Sequence, residues 1–362
     1  MPPTGETMDA VLLLGHGGPE MLVYRRDVPV PRASRGEVLI AVRAAGMNNT
    51  DINTRVGWYS TSFTGATSGE PPGREATLAV GSWSGAPITF PRIQGADVCG
   101  EIVEVGEGVP RARIGERVIV QSCLRSLRRA GRDPWLGSEL DGAFAQFVVV
   151  PSADTYRVEC GLSDQQLAAV PCSYATAENL LHRARVRAGD RVLITGASGG
   201  VGSAAIPLAR RRGADVIAVA GGDKVAAVGA LGAGLVLPRG TDLETAIGRE
   251  QVDVVIDLVG GPSWPELLAV LAPRGRYAIS GAIGGPIVEL DLRTLYLKDL
   301  TLIGCTSQED EVFGNLIGYL ERDEIVPLVA ATYPLAEIAG AQRDFLAKRH
   351  VGKLVLIVPP VD

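Results

Sequence analysis

Residues 192–205, VLITGASGGVGSAA, pass from β-branched and apolar residues through a glycine-rich bend into small helix formers. A strand that stops at Gly196 and resumes as a helix near Val201 leaves the first N–H groups of that helix unpaired and aimed into the bend, which makes a seat for phosphate. Ala197, Gly199 and Gly202 keep the spacing of G-x-G-x-x-G with the first glycine replaced. Those positions serve a tight turn, close approach of backbone to a pyrophosphate, and close packing of helix on strand. Ser198, Gly200 and Val201 complete the bend. SAAIPLARRRGA then reads as a helix ending at Gly213, and DVIAVA as a second buried strand. The bend therefore belongs to a complete βαβ unit and is read as a dinucleotide site, with a purely structural turn as the alternative.

A chain of 362 residues is expected to form two domains. Nearly half of it is apolar, yet no run reaches the length needed to cross a bilayer. The first residues, MPPTGETMDAVLLLGHGG, lack the basic and apolar regions of a secretory signal, so a cytoplasmic location is expected. The five cysteines (Cys99, Cys123, Cys160, Cys172 and Cys305) are scattered without a C-x-x-C, which argues against a disulfide framework and against a zinc knuckle. A net charge of −6 disfavours nucleic acid as the main partner. The arginines of RSLRRAGR, 125–132, read as a solvated loop.

Residues 10–58 and 93–160 carry short β-rich runs such as EVLIAVRAAG, DVCGEIVEVG and AFAQFVVVPS, broken by Gly, Pro and charged turns. From Leu162 the pattern changes to strands alternating with helices, which implies an α/β unit with a parallel sheet covered on both faces. KLVLIV near the C-terminus reads as a strand returning to the first domain. Residues 60–91, rich in Ser, Thr, Gly and Pro, read as a long insert that sets substrate size and access.

Four blocks carry a family resemblance: GEVLIAVRAAGMNNTDINTRVGWY, PRIQGADVCGEIVEVGEGV, RIGERVIV and AGDRVLITGASGGVGSAA. In order and spacing they resemble the medium-chain dehydrogenase/reductase superfamily. The resemblance implies a GroES-like β-rich catalytic domain over 1–162 with the insert at 60–91, a Rossmann-type doubly wound domain over 163–307, and a return to the catalytic domain over 308–362. It also implies a homodimer, through edge strands such as LTLIG.

In the zinc-dependent members the first metal ligand is a cysteine where this chain has Asn48, and a histidine where it has Ala96, with Asp97 in the acidic position beside it. Cys172 falls at the third ligand position, but one thiolate cannot make a site that needs three protein ligands. The loop matching the structural zinc lobe, 121–141, offers only Cys123. No zinc is expected, and the chain looks like the zinc-free quinone oxidoreductase-like branch, whose members reduce quinones or α,β-unsaturated carbonyl compounds with NADPH.

At the tip of the second Rossmann strand, AVAGGDK, the uncharged Ala220 and Gly221 leave room for a 2′-phosphate, while Lys224 and Arg239 suit it as partners. NADPH is preferred over NADH on this ground. Asp223 reads either as a ribose carboxylate displaced outward or as the cap of the helix KVAAVGAL. Ser280 and Gly281 in SGAIGG, and Thr306 in GCTSQED, follow parallel strands and are expected to bind the carboxamide and ribose.

Without a metal, the protein must stabilise charge on the substrate oxygen, and one well-aimed donor can be enough. Asn48 is the first candidate, its amide donating to a carbonyl; a loop asparagine bonding nearby backbone is the alternative. Asp51 is a candidate for direct chemistry, or the acidic half of an i,i+4 brace with Arg55. Tyr59 reads as a proton donor or an aromatic anchor. Trp58, Cys172 and Tyr174 are expected to line the substrate pocket. Two further readings stand beside this one: a non-catalytic NADPH sensor and an alcohol or aldehyde oxidoreductase. A short-chain dehydrogenase fits the loop TGASGGVG but lacks that family's Tyr with a Lys four residues later.

Overall fold

The computed structural model describes residues 6–60, 63–67, 82–85 and 87–361, so most of the insert lies outside the described residues. The first lobe runs through β1 (Thr7–Leu13), β2 (Leu22–Pro29), β3 (Glu37–Gly46), helix α1 (Asn49–Val56), β4 (Arg92–Ile93), β5 (Cys99–Val105), β6 (Arg117–Val120), β7 (Phe147–Pro151) and β8 (Thr155–Arg157). β3 pairs with both β5 and β7, so its apolar residues are buried along nearly its whole length. Helices α2 (Asp164–Leu167) and α3 (Ser173–Arg183) lead out of this lobe.

The second lobe alternates β9 (Arg191–Ile194), α4 (Gly200–Arg211), β10 (Asp215–Ala220), α5 (Val225–Gly229), β11 (Leu235–Pro238), α6 (Leu243–Ile247), β12 (Val252–Asp257), α7 (Trp264–Val270), β13 (Leu271–Ile279), α8 (Leu292–Leu297) and β14 (Thr301–Gly304). Its sheet has the order β11-β10-β9-β12-β13-β14, parallel throughout. This is the doubly wound Rossmann order, which reverses direction at β9 and gathers ligands at the carboxyl ends of the strands there. Val192, Leu193 and Ile194 of β9 are fully buried, as a strand with helices on both faces requires.

The chain ends with α9 (Asp310–Glu321), β15 (Val329–Pro334), α10 (Ile338–Ala347) and β16 (Lys353–Ile357). β16 runs antiparallel to β3, with Val355 opposite Gly46. α9 packs through Phe313 and Leu316 into a core shared by the two lobes, with the Phe313 ring 4.7 Å from Tyr156 of β8. Among the described residues no helix is long and apolar enough to cross a membrane.

Candidate functional site: a glycine turn facing a buried lysine

β9 ends in a bend with Gly196 at φ 58°, and α4 starts at Gly200 with Gly199 as its extended N-cap. The third glycine of the pattern is required by contact: a Cβ on Gly202 would lie 2.4 Å from the Gly196 carbonyl oxygen and 2.6 Å from the Ala197 Cα. The Gly352 N–H donates to the Ser198 carbonyl at 3.0 Å, tying the bend to the start of β16. Gly200 and Val201 begin the helix, whose first-turn N–H groups point into the bend.

A residue that sequence reasoning passed over holds the neighbouring loops. Asp257, fully buried at the end of β12, accepts from Thr195 Oγ1 at 2.5 Å, from the Val259 N–H at 2.9 Å and from the Gly260 N–H at 3.1 Å. It also accepts from the Tyr277 hydroxyl, whose own proton is held more tightly than usual by burial and by that carboxylate. Three strand ends are thereby locked at the switch point. Ser280 and Gly281 follow at the end of β13, the Ser280 N–H on the Asp257 carbonyl at 3.3 Å, and Thr306 lies exposed beyond β14.

Three of the four lysines in a chain with 35 basic residues converge on this cleft. Lys224 sits at the tip of β10 with its ammonium on the Lys348 carbonyl, and Lys348 reaches Asn49 Oδ1 at 3.3 Å. Surrounding protein and the Lys224 charge bring the Lys348 ammonium, still open to solvent, down to about 8. His350 is lowered to about 4, first by desolvation and then by Lys348, Lys224 and Lys353, so it is neutral at pH 7. Arg239 is exposed, and its Nη2 lies 3.7 Å from where a side chain on Gly221 would begin. Asp223 does not cap α5: it lies in the 3₁₀ turn Gly222–Lys224, and Lys224 holds the cap position of a helix shorter than KVAAVGAL.

The third lysine reaches Asn48, which the family resemblance aligns with a metal ligand of zinc-dependent members. Lys353, the first residue of β16, donates to Asn48 Oδ1 at 2.6 Å, the Met47 carbonyl at 2.7 Å and Asp97 Oδ2 at 2.8 Å. These partners use all three protons of its ammonium. Asn48 Nδ2 donates to Asp97 Oδ2 at 2.9 Å and to the Gly46 carbonyl at 3.4 Å, and the Cys172 N–H donates to Asp97 Oδ1 at 2.7 Å. Glycine at 46 permits the network, because a Cβ there would meet Asp97 Oδ2 at 2.4 Å and the Ala168 carbonyl at 2.3 Å. The Lys353 chain also passes the nucleotide turn, its Cδ 2.8 Å from where a Cβ on Gly200 would be.

This donor set does not fit zinc. An ammonium already sits among the oxygens, Ala96 offers no ligand, and burial with Asp97 nearby drives the Cys172 thiol far above neutrality. Cys123 is pushed up to about 12, chiefly by burial. Among the described residues no three His, Cys, Asp or Glu side chains come together to hold a metal.

Several expectations change once the partners are visible. Both donors of Asn48 face inward, so its amide is not free for a substrate oxygen and instead positions Lys353 and Asp97. Asp51 does not brace Arg55. It accepts the Asn48 N–H at 2.7 Å at the start of α1, while Arg55 donates to Gln342 Oε1 at 2.8 Å and to the Gly17 carbonyl. Tyr174 is buried, its hydroxyl donating to the Val326 carbonyl at 3.4 Å.

Tyr59 remains at the site and half-buried, beside Trp83 at 5.1 Å and Trp58 at 5.6 Å between ring centres. Burial outweighs the pull of Thr50 and Asn53 and keeps its hydroxyl protonated. Trp83 stacks on Trp135 at 4.5 Å, and Trp135 packs with Ala96, Cys123 and Cys172. Trp58 Nε1 donates to the Gly65 carbonyl at 3.1 Å, and the Thr67 N–H donates to the Ile283 carbonyl at 3.1 Å. Residues 63–67 of the insert are thus tied to Trp58 and to the loop after β13.

Asp51 carries a pH signature. Desolvation, opposed by the Asn48 N–H and reinforced by Asp97, raises its carboxyl to about 7. Between about pH 4 and pH 7 the folded chain holds a proton that the unfolded chain has released, so this group makes stability fall as pH rises through that window. Asp51→Asn keeps an acceptor for the Asn48 N–H and removes the titration. Urea unfolding at pH 5 and pH 8 should show the wild type losing more stability than the variant over this interval; equal losses would refute the assignment.

Residues 34–159 match the family model described as the alcohol dehydrogenase GroES-like domain, and residues 200–322 match the zinc-binding dehydrogenase model. The chain is 32% identical to acryloyl-coenzyme A reductase from Metallosphaera sedula, with 96% of this chain and 99% of the relative covered. It is 30% identical to quinone oxidoreductase from Rattus norvegicus, with 97% and 98% covered. A solved structure of a putative alcohol dehydrogenase from Sinorhizobium meliloti is 49% identical, with a TM-score of 0.89 and 98% of each chain covered. With its GroES-like lobe, its Rossmann sheet and these full-length relatives, the chain belongs to the medium-chain dehydrogenase/reductase superfamily and is an NAD(P)-dependent oxidoreductase.

Proposed function

We propose that the protein is an NADPH-dependent reductase that works without a catalytic metal and reduces the activated alkene of a quinone or an α,β-unsaturated carbonyl compound. The observation that carries this reading is the Lys353 ammonium, within 2.8 Å of Asn48, Met47 and Asp97 where a metal would need open ligands. NADPH supplies the hydride when bound. The first turn of α4 fits the pyrophosphate, and Lys224, Lys348 and Arg239 favour a coenzyme with an additional phosphate. Tyr59 holds a proton on its hydroxyl at the edge of the aromatic wall, where it donates to the substrate oxygen as negative charge develops. Trp83 and Trp135 exclude water from that oxygen. The neutral Cys172 side chain makes the adjoining apolar contact.

The test is oxidation of NADPH by a panel of quinones and enones before and after exhaustive chelation. Turnover should survive chelation, exceed that with NADH, and fall on the order of 100-fold in kcat for Tyr59→Phe, the lower range for loss of a general acid. Zinc-dependent turnover overturns the metal-free reading, and equal use of NADH overturns the coenzyme preference. The same preparation should have the mass of a homodimer, because the β14 edge carries the exposed Leu302 beside exposed Leu292, Tyr296 and Leu297; a monomeric mass refutes that part.

A further inference from the structure

The arginines of 125–132 divide into two pairs with different environments. Arg125 is neutralised by Asp310, and Arg128 grips Asp133 at 2.5 and 2.9 Å and Ser307 at 2.7 Å. Arg129 and Arg132 have no carboxylate partner among the described residues. Their backbones exchange reciprocal hydrogen bonds of 3.0 Å across Ala130 and Gly131, both at positive φ (49° and 74°). Such a tight antiparallel pair sends its two side chains to the same face. Two like charges directly opposite each other destabilise the hairpin that carries them, unless an anion lies between them.

The groove they border is floored by Leu127 and Pro134 and closed by Ser84 and Gly85. Ser84 and Gly85 follow Trp83 in the chain, and Pro134 precedes Trp135, so the groove leads outward from the aromatic wall of the candidate site. Arg132 Nη1 donates to the Ser84 carbonyl at 2.6 Å, which fixes one guanidinium at the rim. Glu139 adds no counter-charge free to turn: its two oxygens accept the Ser84 N–H at 2.7 Å and the Trp135 N–H at 2.8 Å.

We propose that Arg129 and Arg132 form a phosphate subsite for the tail of the substrate, which is an enoyl thioester carried on coenzyme A. The inference rests on the reductase reading above and narrows its acceptor class. The enoyl group lies at Tyr59 and Trp83, the pantetheine arm runs over Leu127 and Pro134, and the nucleotide phosphates meet the paired guanidinia, whose planar forks match phosphate oxygens.

Two measurements on the full chain test it. The first is binding of free coenzyme A, pantetheine and inorganic pyrophosphate to the wild type and to Arg129→Gln/Arg132→Gln, with unchanged thermal unfolding showing that the variant folds. Coenzyme A should bind the wild type at least tenfold more tightly than the variant, and pantetheine should not distinguish them. Pyrophosphate alone matching coenzyme A in both proteins, or equal coenzyme A binding by both proteins, overturns the proposal. The second compares turnover of a short enoyl group on coenzyme A and on N-acetylcysteamine. The variant should raise KM at least tenfold for the first thioester only; a shift shared by both thioesters, or no shift, overturns it. If neither thioester nor any quinone is reduced, the reductase reading fails while the binding measurement still decides the subsite.

Discussion

Replacing Lys353 by methionine is expected to destabilise the protein by about 3–5 kcal/mol, the range for removing one partner of a buried ion pair. Asp97 is fully buried and Lys353 is 3% exposed, so water cannot replace the lost ammonium. Three acceptors are abandoned together: the Asp97 carboxylate, the Asn48 amide oxygen and the Met47 carbonyl. Adding Asp97→Asn should recover much of the loss, because the uncompensated charge goes with it. Urea unfolding of the wild type, both single variants and the double variant gives the coupling directly. A Lys353→Met protein within about 1 kcal/mol of wild type would show that the pair is not what holds β16 against the Asn48 turn.

The second large effect is expected at the nucleotide turn. Gly202→Ala places a methyl group 2.4 Å from the Gly196 carbonyl oxygen, and the atoms it meets are backbone, which cannot step aside as a flexible side chain would. The bend must open, and the first-turn N–H groups of α4 lose their aim at the pyrophosphate. Coenzyme affinity should fall roughly 100-fold, equivalent to about 2.7 kcal/mol. Fluorescence titration with NADPH measures it, with Ser198→Ala as the control that alters the same turn without the clash. A dissociation constant within threefold of wild type for Gly202→Ala refutes the close-packing role.

The nucleotide turn was legible in the sequence because its determinants are local. A strand, a glycine bend and a helix lie within 192–205, and of the three spaced positions Ala197, Gly199 and Gly202 it is Gly202 whose Cβ would strike backbone. The alternation of strands and helices after Leu162 gave the parallel sheet for the same reason. The limits of local reasoning appear at Asp51 and Arg55: four residues apart on one helix they suggest a brace, but each has a partner outside that spacing. Arg55 is satisfied by Gln342, which lies 287 residues away.

What was not legible is the cation that Asn48 and Asp97 share. The family resemblance put Asn48 and Ala96 where zinc-dependent members carry ligands, but Lys353 begins KLVLI, an ordinary apolar strand, 305 residues beyond Asn48. One signal was present in composition: the chain has only four lysines among its 35 basic residues, and three of them serve the cleft. Only the antiparallel pairing of β16 with β3 brings that ammonium to Asn48 and Asp97. The sequence by itself determined which backbone turns can form, because steric limits act between near neighbours. Tertiary structure decided which charges meet, because a buried ammonium takes its partners from whatever oxygens the sheet register places within reach.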